Sequence, residues 1–89
     1  MNPKTIKQLK AIANPIRYAI ILELKSSKEG LTPSNLVSTL KTSFMNLSFH
    51  LSKLENAGLV TQKKKGLNMF YFINAQNVES LANLNIFKK

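Results

Sequence analysis

Apolar residues recur along this chain first at helical spacing and then, briefly, in alternation. Ile6, Leu9, Ile12 and Ala13 fall three and four apart, which predicts a first helix opened by Asn2-Pro3. Asn14-Pro15 ends that helix and starts a second, to about Lys25, in which Ile16, Ala19, Ile20, Ile21, Leu22 and Leu24 cover more than one face. A helix apolar on several sides belongs in the middle of a domain. Ser26 to Gly30 is a polar connector, with room for a short strand near Gly30-Leu31. Thr32-Pro33 repeats the cap-then-proline device, so all three prolines sit at predicted helix starts.

Leu36, Val37 and Leu40 give the third helix its stripe; Lys41 and Thr42 break the pattern and Ser43 caps a fourth. In that helix Phe44, Leu47, Leu51 and Leu54 share one face, and Gly58 supplies the left-handed residue that stops it. Two helices joined by about three residues form a helix-turn-helix. The second leaves Met45, Phe49, Ser52, Lys53 and Asn56 pointing outward, flanked by Asn46, Ser48 and His50, with no acid before Glu55. A surface that approaches phosphates needs that absence of carboxylates, and an outward Phe49 can meet a thymine methyl.

Beyond Gly58 the period shortens. Leu59–Lys64 and Met69–Ile73 read as two strands around a Lys65-Gly66-Leu67-Asn68 turn, with Lys63, Lys64 and Lys65 at or beside the tip. Alternation puts Phe70 and Phe72 on one side and Tyr71 on the other; one side is buried against the helices, the phenylalanines are read as packing, and Tyr71 is placed either at the core edge or on the surface. Asn74 caps a last helix carrying Val78, Leu81, Ala82 and Leu84, and the tail from Asn85 frays. The predicted architecture is a single mainly α domain over 1–89 with a small β-hairpin, in the order α-α-α-α-β-β-α: a winged helix-turn-helix.

Charge sharpens this picture. Thirteen Lys and Arg face four Asp and Glu, a net charge of +9, which points to a polyanionic partner. Arg17 is the single arginine and lies outside the helix-turn-helix, so paired arginine contacts to guanine are not the main reading device. No apolar run approaches a membrane span and no signal-peptide pattern opens the chain, so the expected compartment is the cytoplasm, in association with the nucleoid. Cysteine is absent, which removes disulfides, thiolate metal sites and thiol switches. With no carboxylate pair in a motif, no phosphate loop and no nucleophile–base set, the chain does not read as an enzyme.

The segments LKAIANPIRYAIILEL (9–24), SFMNLSFHLSKLENAGLV (43–60) and KKKGLNMFYFI (63–73) together resemble the ArsR-type winged-helix repressors over nearly the whole chain. The most specific part runs from Ser43 through Leu47, His50-Leu51 and Leu54 to Ala57-Gly58-Leu59-Val60. The resemblance implies a homodimer paired through its first and last helices, with Ile6, Leu9, Val78, Leu81 and Leu84 as interface candidates, bound to a pseudo-palindromic double-stranded operator. It implies that Phe44, Met45, Asn46, Ser48, Phe49 and His50 face DNA. Ser43, Ser52 and Lys53 complete the candidate set on that helix, and Lys63, Lys64 and Lys65 are assigned to flanking phosphates. The family's metal sites do not carry over: GLTPSNLV has no cysteine, the last helix offers only Glu79, and His50 alone cannot hold a metal. No metal or other cofactor is expected. A sequence-tolerant architectural DNA binder and a protein-interaction module built on the same scaffold stand as the rival readings.

Overall fold

The computed structural model describes residues 2–84. Five helices, α1 (Pro3–Ile12), α2 (Pro15–Lys25), α3 (Pro33–Leu40), α4 (Phe44–Asn56) and α5 (Ala75–Ala82), accompany an antiparallel hairpin, β1 (Val60–Lys65) and β2 (Asn68–Ile73), in the expected order. This is a winged helix-turn-helix. The tail from Asn85 lies outside the described residues.

Local chemistry explains the boundaries. Each helix begins at a side chain that accepts from otherwise unpaired backbone N–H groups: Asn2, Asn14, Thr32, Ser43 and Asn74. At Thr32 the bond is reciprocated, because the Asn35 side chain accepts from the Thr32 backbone N–H at 3.1 Å. Lys41 ends α3 in the left-handed conformation (φ 53°), and Thr42 and Ser43 complete the break before α4.

The core gathers Ile20, Ile21 and Leu24 of α2, Leu36 of α3 and Leu47, Leu51 and Leu54 of α4 around Leu59, Val60 and α5. The central position of α2 follows from its broad apolar surface. Val78 (3% exposed) and Leu81 (1%) close this core from α5. Their assignment to a dimer interface is therefore corrected: an eight-residue helix has one apolar stripe, and the protomer itself uses it. Ile6 (42%) and Leu84 (44%) remain exposed, while Leu9 is half-buried against the core.

The hairpin turn is tighter than expected. Only Gly66 and Leu67 lie between the strands, with Lys65 paired to Asn68. Positive φ at Gly66 (63°) but not at Leu67 is the sign pattern of a II′ turn, which demands glycine first. Register pairs Val60 with Ile73, and because Val60 is buried, Ile73 and Tyr71 pack on the core while Phe70 and Phe72 occupy the opposite side. The expected packing of the phenylalanine side on the core is corrected, and Tyr71 takes the core-edge position that the alternation left open. At its base the hairpin gains a third, one-residue strand: Leu31 N–H donates to the Tyr71 carbonyl at 3.0 Å and Tyr71 N–H to the Leu31 carbonyl at 2.8 Å.

Gly30 makes that bridge possible. It is buried with φ +81°, and a Cβ there would lie 2.7 Å from the Phe72 ring and 3.0 Å from the Tyr71 carbonyl oxygen. Gly30→Ala meets both an unfavourable backbone conformation and a steric clash, and is expected to cost about 2–3 kcal/mol, read as a lower urea midpoint at unchanged m-value.

His50 is also corrected here. It is 7% exposed, turned into the body rather than toward a duplex. The Arg17 guanidinium donates from Nη1 to His50 Nδ1 at 2.9 Å, while Arg17 Nε donates to the Ala11 carbonyl. Arginine is always a donor, so Nδ1 must be unprotonated and the imidazole neutral. One side chain of α2 thus ties the end of α1 to the middle of α4. Burial first, and the Arg17 charge second, hold the His50 pKa below its ordinary 6.5. The unfolded chain therefore takes up a proton near pH 6.5 where the native state does not. Stability is expected to be flat above that pH and to fall as pH drops through it. Urea unfolding between pH 7.5 and 5 measures this, and His50→Asn should remove the component assigned to this single histidine.

Candidate nucleic-acid interface

The arrangement that exposes α4 begins with its buried stripe. Leu47, Leu51 and Leu54 are each 2% exposed or less, which fixes the rotation of the helix and turns the opposite side to solvent. Met45 is 85% exposed and Phe49 54%. Ser43, Ser48, Ser52, Lys53 and Asn56 are exposed beside them. Phe44, placed by spacing in the stripe, is 58% exposed: as the first residue of α4 it overhangs the edge of the core. The apolar-stripe assignment of Phe44 is corrected, and its side chain joins the outer surface.

Two of the small polar groups are already engaged. Ser43 Oγ accepts from Asn46 N–H at 3.0 Å as the helix cap, and Asn46 Nδ2 donates to Thr42 Oγ1 at 2.8 Å, bracing the turn. Asn46 is half-buried in consequence. Phe49 is held from both sides. Its ring meets His50 edge-on at 5.2 Å between centroids, and Lys53 Nζ lies 5.3 Å from its own centroid.

Glu55, the acid of this helix, is drawn off the outer surface. Its Oε2 accepts from Gln62 Nε2 at 2.8 Å, linking α4 to β1. Burial, with the Glu55 charge as a lesser cause, raises the pKa of nearby Tyr71. The outward face of α4 therefore carries lysine, hydroxyl, amide and aromatic groups without a carboxylate.

The wing lysines separate by the alternation of β1. Lys63 and Lys65 share a side with Phe70 and Phe72, and Lys64 shares the other with Met69. Lys65 Nζ lies 5.4 Å from the Phe70 centroid and 5.1 Å from that of Phe72, resting over the sheet. Leu67, at the turn, is 96% exposed. The structure brings α4 and the hairpin together through Gln62 and Glu55, and it moves His50 out of the exposed set.

Sequence reasoning missed the partner of His50 and a basic groove of about 430 Å³ beside the tail of α4, bordered by Lys7, Lys10, Arg17, Lys53 and Asn56. Helical spacing contained a signal for the first: His50 lies three residues after Leu47 and four before Leu54, on the buried side. At the same tail, Gln8 Nε2 donates to the Ala57 carbonyl at 3.2 Å and Asn77 Nδ2 to the Gly58 carbonyl at 2.8 Å. These amides satisfy carbonyls that a helix end leaves open.

Residues 12–63, from the end of α1 into β1, match a family described as a helix-turn-helix domain. The chain is 33% identical over 81 residues to the transcriptional activator HlyU of Vibrio cholerae, covering 91% of this chain and 73% of that protein. A solved structure of that HlyU superposes with a TM-score of 0.82 at 31% identity, over 97% of this chain and 94% of the other. The transcriptional repressor PagR of Bacillus anthracis is 32% identical over 76 residues, 85% of this chain and 75% of its own length. A Halobacterium salinarum protein provisionally named arsenical resistance operon repressor ArsR2 is 32% identical over 66 residues, and the chain spans 56% of its length. Matching residues, matching architecture and these relatives agree: the chain belongs to the ArsR-type winged helix-turn-helix family of transcriptional regulators, whose members are not enzymes.

Proposed function

We propose that this protein represses transcription as a homodimer that places the outer face of α4 in the major groove of a pseudo-palindromic operator. The observation that carries this reading is the exposed, carboxylate-free side of α4, framed by a basic hairpin in a chain of net charge +9. A two-fold pair would set its two reading helices about 34 Å apart, in successive major grooves. Exposed Ile6 on α1 and Leu84 after α5 supply apolar surface for that pairing, with Leu9 beside them.

Phosphate neutralisation by lysines supplies most of the affinity, so binding weakens steeply with salt. Base discrimination falls to Met45, Phe49, Ser48 and Phe44, with Ser52 and Lys53 nearer the backbone. Asn46 contributes through its remaining acceptor, and Ser43 by setting the pitch at which α4 enters. DNA shape supplies discrimination where no side chain reaches. A site of action at the nucleoid follows from this reading.

Selection of bound sites from random duplex DNA tests the proposal directly. It should return two inverted half-sites one helical turn apart; recovery of no preferred sequence would overturn the operator-specific reading. Against the selected site, Phe49→Ala is expected to reduce discrimination over random DNA by about 1–3 kcal/mol while leaving binding to random DNA nearly unchanged. Replacing Lys63 and Lys64 with Ala should weaken binding to every duplex and reduce the slope of log affinity against log salt by about 2. An unchanged slope would remove the wing from the contact surface.

A further inference from the structure

The basic groove at the tail of α4 is assigned no role by the DNA-reading surface. Lys7 and Lys10 reach it from one side of α1, Lys53 and Asn56 from one side of α4, and Arg17 from α2 between them. Its floor is apolar, formed by Ala11 and Ala57, both buried. Four cations border this space and no carboxylate lines it. Crowding like charges around a concave surface costs electrostatic free energy, and an anion seated there recovers it.

Arg17 is the element that turns a basic patch into a built site. Its Nε and one Nη1 hydrogen are fixed on the Ala11 carbonyl and His50 Nδ1, which sets the guanidinium plane before any ligand arrives. Nη2 has no bond to another described residue, leaving part of a planar fork suited to phosphate oxygens. Lys7 and Lys10, exposed and without a hydrogen bond or ion pair among the described residues, add mobile ammonium groups. A volume of about 430 Å³ lies in the range of small-ligand sites, larger than one phosphate requires.

We propose that this groove is a phosphate-binding site, with Arg17 as the fixed donor and Lys7, Lys10 and Lys53 as the charges that close on the anion. The phosphate can belong to a free phosphorylated small molecule or to the backbone of bound DNA beyond the α4 contact. Lys53 borders both the groove and the outer face of α4, so occupancy by a free ligand withdraws one cation from the duplex. The binding itself does not depend on the proposed DNA-reading function.

Inorganic pyrophosphate, titrated into the full chain without DNA and at constant ionic strength, is the probe. Saturable binding at one site per protomer is expected, with amide shifts centred on Ala11 and Ala57. The exposed pair Lys7→Gln/Lys10→Gln should weaken it about tenfold. Lys28→Gln/Lys41→Gln removes the same charge away from the groove and should leave it within about twofold. Absence of saturation, or equal loss in both double variants, would overturn the site in favour of bulk charge.

A duplex titration of the same variants then identifies the source. A drop of one to two in the salt slope for Lys7→Gln/Lys10→Gln assigns the phosphate to DNA. An unchanged slope, with pyrophosphate binding lost, assigns it to a free phosphorylated ligand. Because the pyrophosphate measurement contains no DNA, failure of the DNA-reading proposal would leave its result intact.

Discussion

The amphipathic division of α4 governs both the stability and the chemistry of this protein. Leu47, Leu51 and Leu54 insert among residues from α2, α3 and the segment leading into β1, and each buried leucine contributes roughly 1.5–3 kcal/mol. Their burial fixes the rotation of the helix about its axis. With that rotation fixed, Met45 and Phe49 have no interior position available and must face solvent. The surface offered to a partner is thus defined by the packing behind it.

Polar contacts then refine what packing sets. Arg17 joins three helices through one guanidinium, and His50 serves as its acceptor on α4. Glu55 could have placed a negative charge near the exposed face, but its bond to Gln62 anchors it toward the hairpin. A chain with +9 net charge repels itself, and these neutral or internally matched contacts let the excess positive charge remain at the periphery. Lys65 shows how: its ammonium rests over two aromatic rings, where the negative π-faces offset part of the repulsion from Lys63 and Lys64.

Most of the architecture was legible in the chain because short-range rules suffice for it. Three cap-then-proline pairs, two further caps and a glycine after α4 mark the helix limits without reference to tertiary structure. The errors arise where a local pattern allows two outcomes. MFYFI alternates either way, and only pairing with buried Val60 decides that Tyr71 and Ile73 face inward. Phe44 has the right angle for the core but sits past its edge, a matter of axial position that angular periodicity does not contain. Val78 and Leu81 have the spacing of an interface and the burial of a core, and the size of α5 left no surplus for both. The groove bordered by Lys7, Lys10, Arg17 and Lys53 was not legible, since it joins the neighbouring helices α1 and α2 to the tail of α4, which lies far along the sequence.

Gln8 and Asn77 lead to a mechanical conclusion. One comes from α1 and the other from α5, and their amides hold the consecutive carbonyls of Ala57 and Gly58 just past α4. The helix that faces outward is thereby clasped at its rear by α1 and α5. Any displacement of those two segments is passed to α4 through hydrogen bonds of 3.2 and 2.8 Å rather than absorbed in a loose loop. The angle of α4 is consequently coupled to the placement of α1 and α5.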